Sequence, residues 1–249
     1  MQEFIQLIAK HDLIVAFLVV GIVMYVSFWF SKKILKGKIP GAAIAITVGL
    51  ILAYFGGKKG IADIPLFSGM ALLGGSMMRD FSIVSTAMGA SMSEIKKTGW
   101  VGMLSLLLGI CTSFFIGGLI GYIMGYHELK SIATIGAGAC TFIVGPVTGN
   151  AIGASSDVIA ISIAIGVIKS VMVTILTPMI AKRIGLDNPQ TAMIYGGLIG
   201  TTSGVAAGLA ATDPKVGPYG ALTATFYTGL ACLLCPSVLY FILSQITGL

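Results

Sequence analysis

The stretch GPVTGNAIGASSD, residues 145 to 157, spaces three glycines four apart, adds a proline and three hydroxyl residues, and closes on an aspartate. A second stretch, GTTSGVAAGLAATD at 200 to 213, repeats it: Gly145, Thr148, Gly149, Ala151, Gly153 and Asp157 fall on Gly200, Ser203, Gly204, Ala206, Gly208 and Asp213, with one extra residue before the second aspartate. Beyond each aspartate runs a long apolar stretch expected to form a helix ending in a proline, at Pro178 and at Pro236. Neither copy has the apolar stripe of a core helix or the charge of a surface loop. Both read as helices broken inside an apolar environment.

That environment is set by composition. The 249 residues are 56% hydrophobic and 10% charged, with a mean hydropathy of +1.00. Soluble domains carry roughly a quarter charged residues, so the chain is an integral membrane protein. The first apolar run is followed rather than preceded by its lysines (Lys32, Lys33, Lys36, Lys38), which marks it as a retained span and not a signal peptide. The net charge of +6 is spread over short loops without interleaved aromatics, which excludes a nucleic-acid partner. Cys232 and Cys235 have the spacing of a redox or zinc pair, but no further ligands stand nearby, and the four cysteines read as apolar filler.

A bilayer core of about 30 Å takes roughly 20 apolar residues per helix. Six runs qualify, at 13–30, 39–56, 61–78, 99–125, 157–181 and 218–243, while 131–156 and 189–212 are apolar yet rich in Gly, Ser, Thr and Asn. With the N-terminus outside and both broken segments entering and leaving by one face, Lys32, Lys33, Lys36, Lys38, Lys96, Lys97, Lys182, Arg183 and Lys215 lie inside. Lys10, Lys58, Lys59 and Lys130 are then outside and Arg79 and Lys169 fall in no loop, an asymmetry the positive-inside rule favours; if each broken segment instead crosses fully, Lys182 and Arg183 move outside and the asymmetry weakens. In the first arrangement each copy contains one re-entrant segment and one full span, so successive copies enter the membrane in opposite senses. The expected fold is therefore an all-α polytopic helical bundle with an inverted repeat (131–185 and 186–249) containing two broken or re-entrant helices. Residues 1–125 supply scaffold and partner contacts, and 131–249 form a transport core. Inverted repeats with discontinuous helices are a recurrent construction of secondary transporters, here elevator-like, with the repeat block moving against the scaffold. The glycines at every fourth position, Gly145, Gly149, Gly153 and Gly196, Gly200, Gly204, Gly208, are expected to line single helix faces and allow close backbone approach.

The residues that could bind solute follow. Lys169 stands twelve residues beyond Asp157 and thirteen before Lys182, near mid-membrane, where a charge costs at least about 2.5–3.5 kcal/mol and is a functional candidate by default. It reads either as an anion-binding or coupling group or as half of an ion pair with Asp157, Asp213 or Asp80; its repeat counterpart is Tyr227. Asp157 with Ser155 and Ser156, and Asp213 with Thr212, supply oxygens suited to a hard cation such as sodium, near the backbone at Gly149 and Gly204. They are equally suited to capping helices. Thr141, Pro146, Thr148 and Asn150 in one copy and Thr201, Thr202 and Ser203 in the other border the same breaks. Arg79, beside Asp80, could hold a carboxylate in bidentate fashion or anchor a span at the interface. No catalytic set is expected: an intramembrane aspartyl protease dyad fits poorly, because both aspartates end Gly-rich turns beside hydroxyls.

ADIPLF (62–67), GGSMMRDF (74–81), TIGAGACTFIVGPVTGNAIGASSD (134–157), GLDNP (185–189) and GTTSGVAAGLAATDPK (200–215) resemble the larger, M subunit of the bacterial two-component malonate:sodium symporter. The resemblance covers essentially the whole chain. More distantly the repeat is similar to the LrgB/CidB membrane family. The first resemblance implies uptake of malonate, a small dicarboxylate, with sodium as coupling ion, in the bacterial cytoplasmic (inner) membrane among its lipids and with a smaller L subunit as partner. The second implies the alternative, a membrane regulator or pore without sodium coupling. Phe142 stands where the first family's pattern implies a tyrosine, which removes one hydroxyl from that pattern.

Overall fold

The computed structural model describes residues 11–36, 41–56, 61–64, 67–70 and 92–248. The chain forms two compact units, Met1–Met88 and Gly89–Leu249. Among the described residues there are helices and turns and no strand.

In the first unit, α1 (Asp12–Lys33) packs on α2 (Gly41–Tyr54), with Gly41 set against Phe28, and a short 3-10 turn follows at Ile61–Asp63. Asp12 fixes the start of α1 by accepting the Leu13 N–H at 2.8 Å and the Ser68 hydroxyl at 3.3 Å. Most of α1 is exposed apolar surface, as suits a lipid-facing helix. Of the expected span at 61–78, residues 65, 66 and 71–78 lie outside the described residues, and so do Arg79 and Asp80.

The second unit opens with α3 (Met92–Ile123), kinked at Gly99 where φ is +47° and apolar from there on. Two broken helices follow. The first is α4 (Leu129–Cys140) and α5 (Val144–Ile152), and the second is α7 (Pro189–Ile199) and α8 (Thr202–Thr212). Between them runs α6 (Ser156–Ile180), and α9 (Gly217–Leu234), a π-helical turn (Cys235–Leu239) and α10 (Tyr240–Thr247) complete the chain. Among the described residues, four helical stretches are long and apolar enough to cross a membrane: Asp12–Lys33, Gly99–Ile123, Ser156–Ile180 and Gly217–Thr247.

Both broken helices are hairpins. A Cβ on Gly145 would lie 3.0 Å from Gly138 Cα, one on Gly149 would lie 2.9 Å from Thr134 Cγ2, and one on Gly153 would lie 3.8 Å from Lys130 Nζ. Numbers fall along one arm as they rise along the other, so α4 and α5 run antiparallel and open at the level of Lys130. In the second hairpin, Gly220 of α9 is wedged against Leu209 of α8 and against Ala192 of α7, whose carbonyl would lie 2.9 Å from a Cβ there. Two residues 17 apart can meet one glycine only if the chain doubles back, since a continuous helix would separate them by about 25 Å. This hairpin opens where Thr212 and Asp213 share a cavity of about 300 Å³ with Ala181, Lys182 and Asp187, at the C-terminal end of α6. The first opens at the N-terminal end of α6, where Gly149 packs on Ile159. The two tips point toward each other from opposite ends of α6 and meet beside its middle: the Phe142 backbone touches Gly166, and a Cβ on Gly204 would lie 2.8 Å from the Ser170 carbonyl.

Local chemistry explains the breaks. Thr141 is extended (φ −153°), and its hydroxyl oxygen accepts the N–H groups of Ile143 and Val144 at 3.2 Å each, which ends one helix and starts the next. Gly153 and Gly200 adopt φ of +70° and +80°, the left-handed C-terminal stop that glycine takes without steric penalty. Asn188 caps α7 by accepting the Thr191 N–H at 3.0 Å, with Pro189 in the first turn.

Two sequence expectations change. Gly196 and Gly200 are separated from Gly204 and Gly208 by the break, so the four do not line one face. Gly196 packs on Gly220, Gly200 on Tyr227, Gly204 on Ser170 and Gly208 on Thr177. The last long helix also does not end at Pro236. A proline lacks the N–H for the regular ladder, and the chain widens into a π turn in which the Tyr240 N–H reaches back five residues to the Cys235 carbonyl. Pro178 likewise sits inside the last turn of α6.

Cysteines introduced at Lys130 and Ser155 should be labelled by an impermeant maleimide from the same side of the membrane, and one at Lys215 from the other. Labelling of the Lys130 and Ser155 sites from opposite sides would rule out the first hairpin.

Candidate functional site

Where the two hairpin tips meet, α6 contributes Lys169 and Ser170. The ammonium of Lys169 donates to the Ala139 carbonyl at 2.8 Å, the Cys140 carbonyl at 3.1 Å and the Ser113 hydroxyl at 3.2 Å. The two carbonyls are the last of α4, left without intrahelical partners because the chain turns away at Thr141. A helix C-terminus carries roughly half a negative charge, so the cation sits at the end that favours it. On its other side Nζ lies 5.8 Å from the centre of the Tyr227 ring, within cation–π range. None of the three hydrogen bonds is to a carboxylate, and Asp157 lies about 18 Å away along the same helix. The ion-pair reading of Lys169 with Asp157 is therefore replaced by a cation on helix-end carbonyls.

Tyr227, the repeat counterpart of Lys169, holds the other tip in a parallel way. Its ring covers Gly200, where any side chain would collide with it, and its hydroxyl donates to the Gly109 carbonyl of α3 at 3.1 Å. Ser170 bonds the hydroxyl of Thr201, which is fully buried, and accepts the Ser203 hydroxyl at 3.3 Å. Because the Thr201 hydroxyl is engaged by Ser170, it makes no side-chain cap on α8, in contrast to Thr141 on α5. The positive N-terminal end of α8, at Thr202 and Ser203, thus stands uncapped by a side chain beside Ser170, and the Tyr227 ring lies between Gly200 of that tip and the Lys169 ammonium. One tip offers carbonyls that favour a cation, and the other offers amides and hydroxyls that favour an anion.

The remaining sequence candidates fall into three places. Thr148, on α5, is fully buried, and its hydroxyl is the one buried side-chain polar atom among the described residues that lacks a hydrogen-bond partner; Pro146 is half-buried two residues nearer the tip. Asn150 and the group Ser155, Ser156 and Asp157 are exposed at the opening of the first hairpin, where Asp157 lies in the first turn of α6 and favours its N-terminal dipole. Thr212 donates to the Gly208 carbonyl and Asp213 accepts the Lys215 N–H at 2.9 Å, both at the opposite end. Gly149 and Gly204 are buried contact points, the latter on the backbone of Ser170. The structure therefore joins Lys169, Thr141, Thr201, Thr202 and Ser203 at the tips and places the two aspartates at opposite ends of α6.

Ser113 and Ser170 were missed by sequence reasoning. Neither lies in a Gly-rich copy, and a single serine in an apolar helix gives no signal by itself; the one available clue to Ser170 was its adjacency to Lys169. Among the described residues no cluster of three or more His, Cys, Asp or Glu could hold a metal. A cavity of about 430 Å³ lined by Phe115, Leu119, His127 and Leu243 is largely apolar; its Ile132 lies about two helical turns from Ala139, so it is not the Lys169 site.

A polytopic helical membrane protein with a buried cation between two broken-helix tips has the construction of a secondary transporter. Residues 4–247 match the family described as the malonate/sodium symporter MadM subunit, and the chain belongs to that family. It is accordingly a transporter subunit and not an enzyme. No curated protein and no solved structure matches the chain.

Thr148→Val removes a buried hydroxyl without a partner and should leave thermal stability unchanged or raise it by about 1 kcal/mol. A clear fall in melting temperature of the purified protein would show that the hydroxyl is bonded.

Proposed function

We propose that this chain takes up malonate together with sodium across the bacterial cytoplasmic membrane, working with a smaller L subunit, with its N-terminus outside. The observation that carries the reading is the ammonium of Lys169, midway along the apolar helix α6, held on the carbonyls that end α4 where the two hairpin tips meet. A small dianion needs positive charge and hydrogen-bond donors there, because hydrocarbon supplies neither. Lys169, the hydroxyls of Ser170, Thr201 and Ser203 and the N-terminal amides of α8 at Thr202 supply both. The tight helix ends at Thr141 and Gly200 fix their positions.

The two hairpins with their following helices, 131–185 and 186–249, are read as inverted repeats that move as one block against a scaffold made by 1–125 and the partner subunit. Support comes from the opposed hairpins and from the contact surface of α3. There Gly109 meets the backbone of Gly197 and Leu198, and Gly136 of α4 meets the backbone of Phe114, while the bonds of Tyr227 to the Gly109 carbonyl and of Lys169 to Ser113 are ones that movement would break. The lysines at the two ends of α6 agree with the orientation: Lys182 lies at the end proposed as inner, and Lys130 at the other. Asp157 and Asp213, at the two faces, read in this arrangement as helix-end charges that draw cations to each mouth.

Uptake of labelled malonate into proteoliposomes holding this chain and its small partner should require an inward sodium gradient, and a proton gradient alone should not drive it. Solute leak without sodium would instead support a pore of the LrgB/CidB kind. Lys169→Met should reduce malonate affinity by about 100-fold or more, as expected for loss of a buried charged partner, and wild-type uptake by this variant would overturn the assignment.

A further inference from the structure

We propose that the carbonyls of Ala139 and Cys140 and the hydroxyl of Ser113 form a sodium site, and that the ammonium of Lys169 occupies it as a tethered cation whenever no dicarboxylate is bound. The inference rests on the malonate and sodium reading above and assigns the place and the means of coupling.

The donor set is three neutral oxygens at 2.8, 3.1 and 3.2 Å from one positive atom. Two of them are freed carbonyls at a helix C-terminus and the third is a hydroxyl from a different helix. Hard cations choose oxygen donors of this kind, and carbonyls at half-helix C-termini are a recurrent source of them in transporters. An ammonium and a sodium ion cannot share the position, since two unit charges a few ångströms apart in a poorly screened site repel strongly. The empty carrier therefore already holds its cation.

A dianion arriving between the tips changes this. The anion-favouring groups lie on the other tip: Ser170, next in sequence to the lysine, is bonded to Thr201 and Ser203 at the start of α8, and the Tyr227 ring that covers Gly200 lies 5.8 Å from Nζ. When Nζ swings to a carboxylate, it leaves two carbonyls and a hydroxyl without a donor at the membrane midplane, which is costly unless another cation replaces it. Lys169 also balances only one of the two negative charges, and sodium at the vacated oxygens balances the second. Dianion and sodium thus each create the site of the other, and the coupling is reciprocal.

The test uses the purified complex with its small partner and measures thermal unfolding in sodium chloride against choline chloride at equal ionic strength, with and without malonate. Wild-type protein should gain little from sodium alone and about 5 °C or more from sodium with malonate. Lys169→Met, with the site vacated, should gain a comparable saturable rise from sodium alone. Ser113→Ala, which keeps the lysine, should raise the sodium concentration for half-maximal uptake about tenfold and leave the half-saturating malonate concentration at saturating sodium unchanged. The proposal is overturned if Lys169→Met gains nothing from sodium, if wild type gains as much from sodium alone as the variant does, or if Ser113→Ala leaves the sodium dependence unchanged. Absence of sodium-dependent uptake by wild-type protein would instead remove the functional reading beneath it.

Discussion

A single positive charge in the middle of a hydrocarbon-spanning helix constrains the rest of this molecule. Lys169 is too far along α6 to reach water at either end, and its ammonium needs acceptors supplied by the protein. Continuous helices have none to offer, because their carbonyls are committed to their own ladders. Breaking a helix at mid-depth releases them, and α4 is broken at that depth: it stops at Cys140, and its last two carbonyls meet Nζ. The lysine and the hairpin are two parts of one solution.

The glycines make the solution fit. A re-entrant hairpin must squeeze two arms and a crossing helix into the space of neighbouring spans. Gly138, Gly145 and Gly149 let α4, α5 and α6 approach to backbone distance: a Cβ on Gly138 would lie 2.5 Å from the Ser162 carbonyl. The second hairpin solves the same problem differently. Its arms do not pack on each other as closely, and α9 enters between them at Gly220, touching Val205 and Leu209 on one side and Ala192 on the other. The copies are therefore related in sequence and in plan but not in packing. The clearest expression of the difference is Lys169 on one tip and Tyr227 on the other.

The broken helices were legible because Gly, Ser and Thr interrupt apolar runs at matching places in two copies, and Lys169 was legible because it is the only charge between Asp157 and Lys182. Their meeting was not. That Ala139 and Cys140 would present bare carbonyls depends on where the chain turns, and the turn is made by the extended backbone and hydroxyl of Thr141, which sequence periodicity cannot locate. Ser113 sits in α3, 56 residues from its partner, and nothing local distinguishes it from Ser105, whose hydroxyl bonds its own helix at Gly102. The glycine spacing misled because it continued across a break. Pro236 misled because a proline inside a packed helix can be absorbed by a π turn as readily as it can end the helix.

The order of the chain has a consequence for how the molecule is made. All three acceptors of the lysine, on Ser113, Ala139 and Cys140, precede it in sequence. When α6 leaves the ribosome and enters the bilayer, α3 and the first hairpin have already been synthesised, so the charge can pass from the insertion machinery directly to waiting oxygens. Residue order thereby spares Lys169 a period of unpartnered exposure to lipid. Moving the same lysine to the corresponding place in an earlier helix would keep the final contacts conceivable but remove that protection during biogenesis.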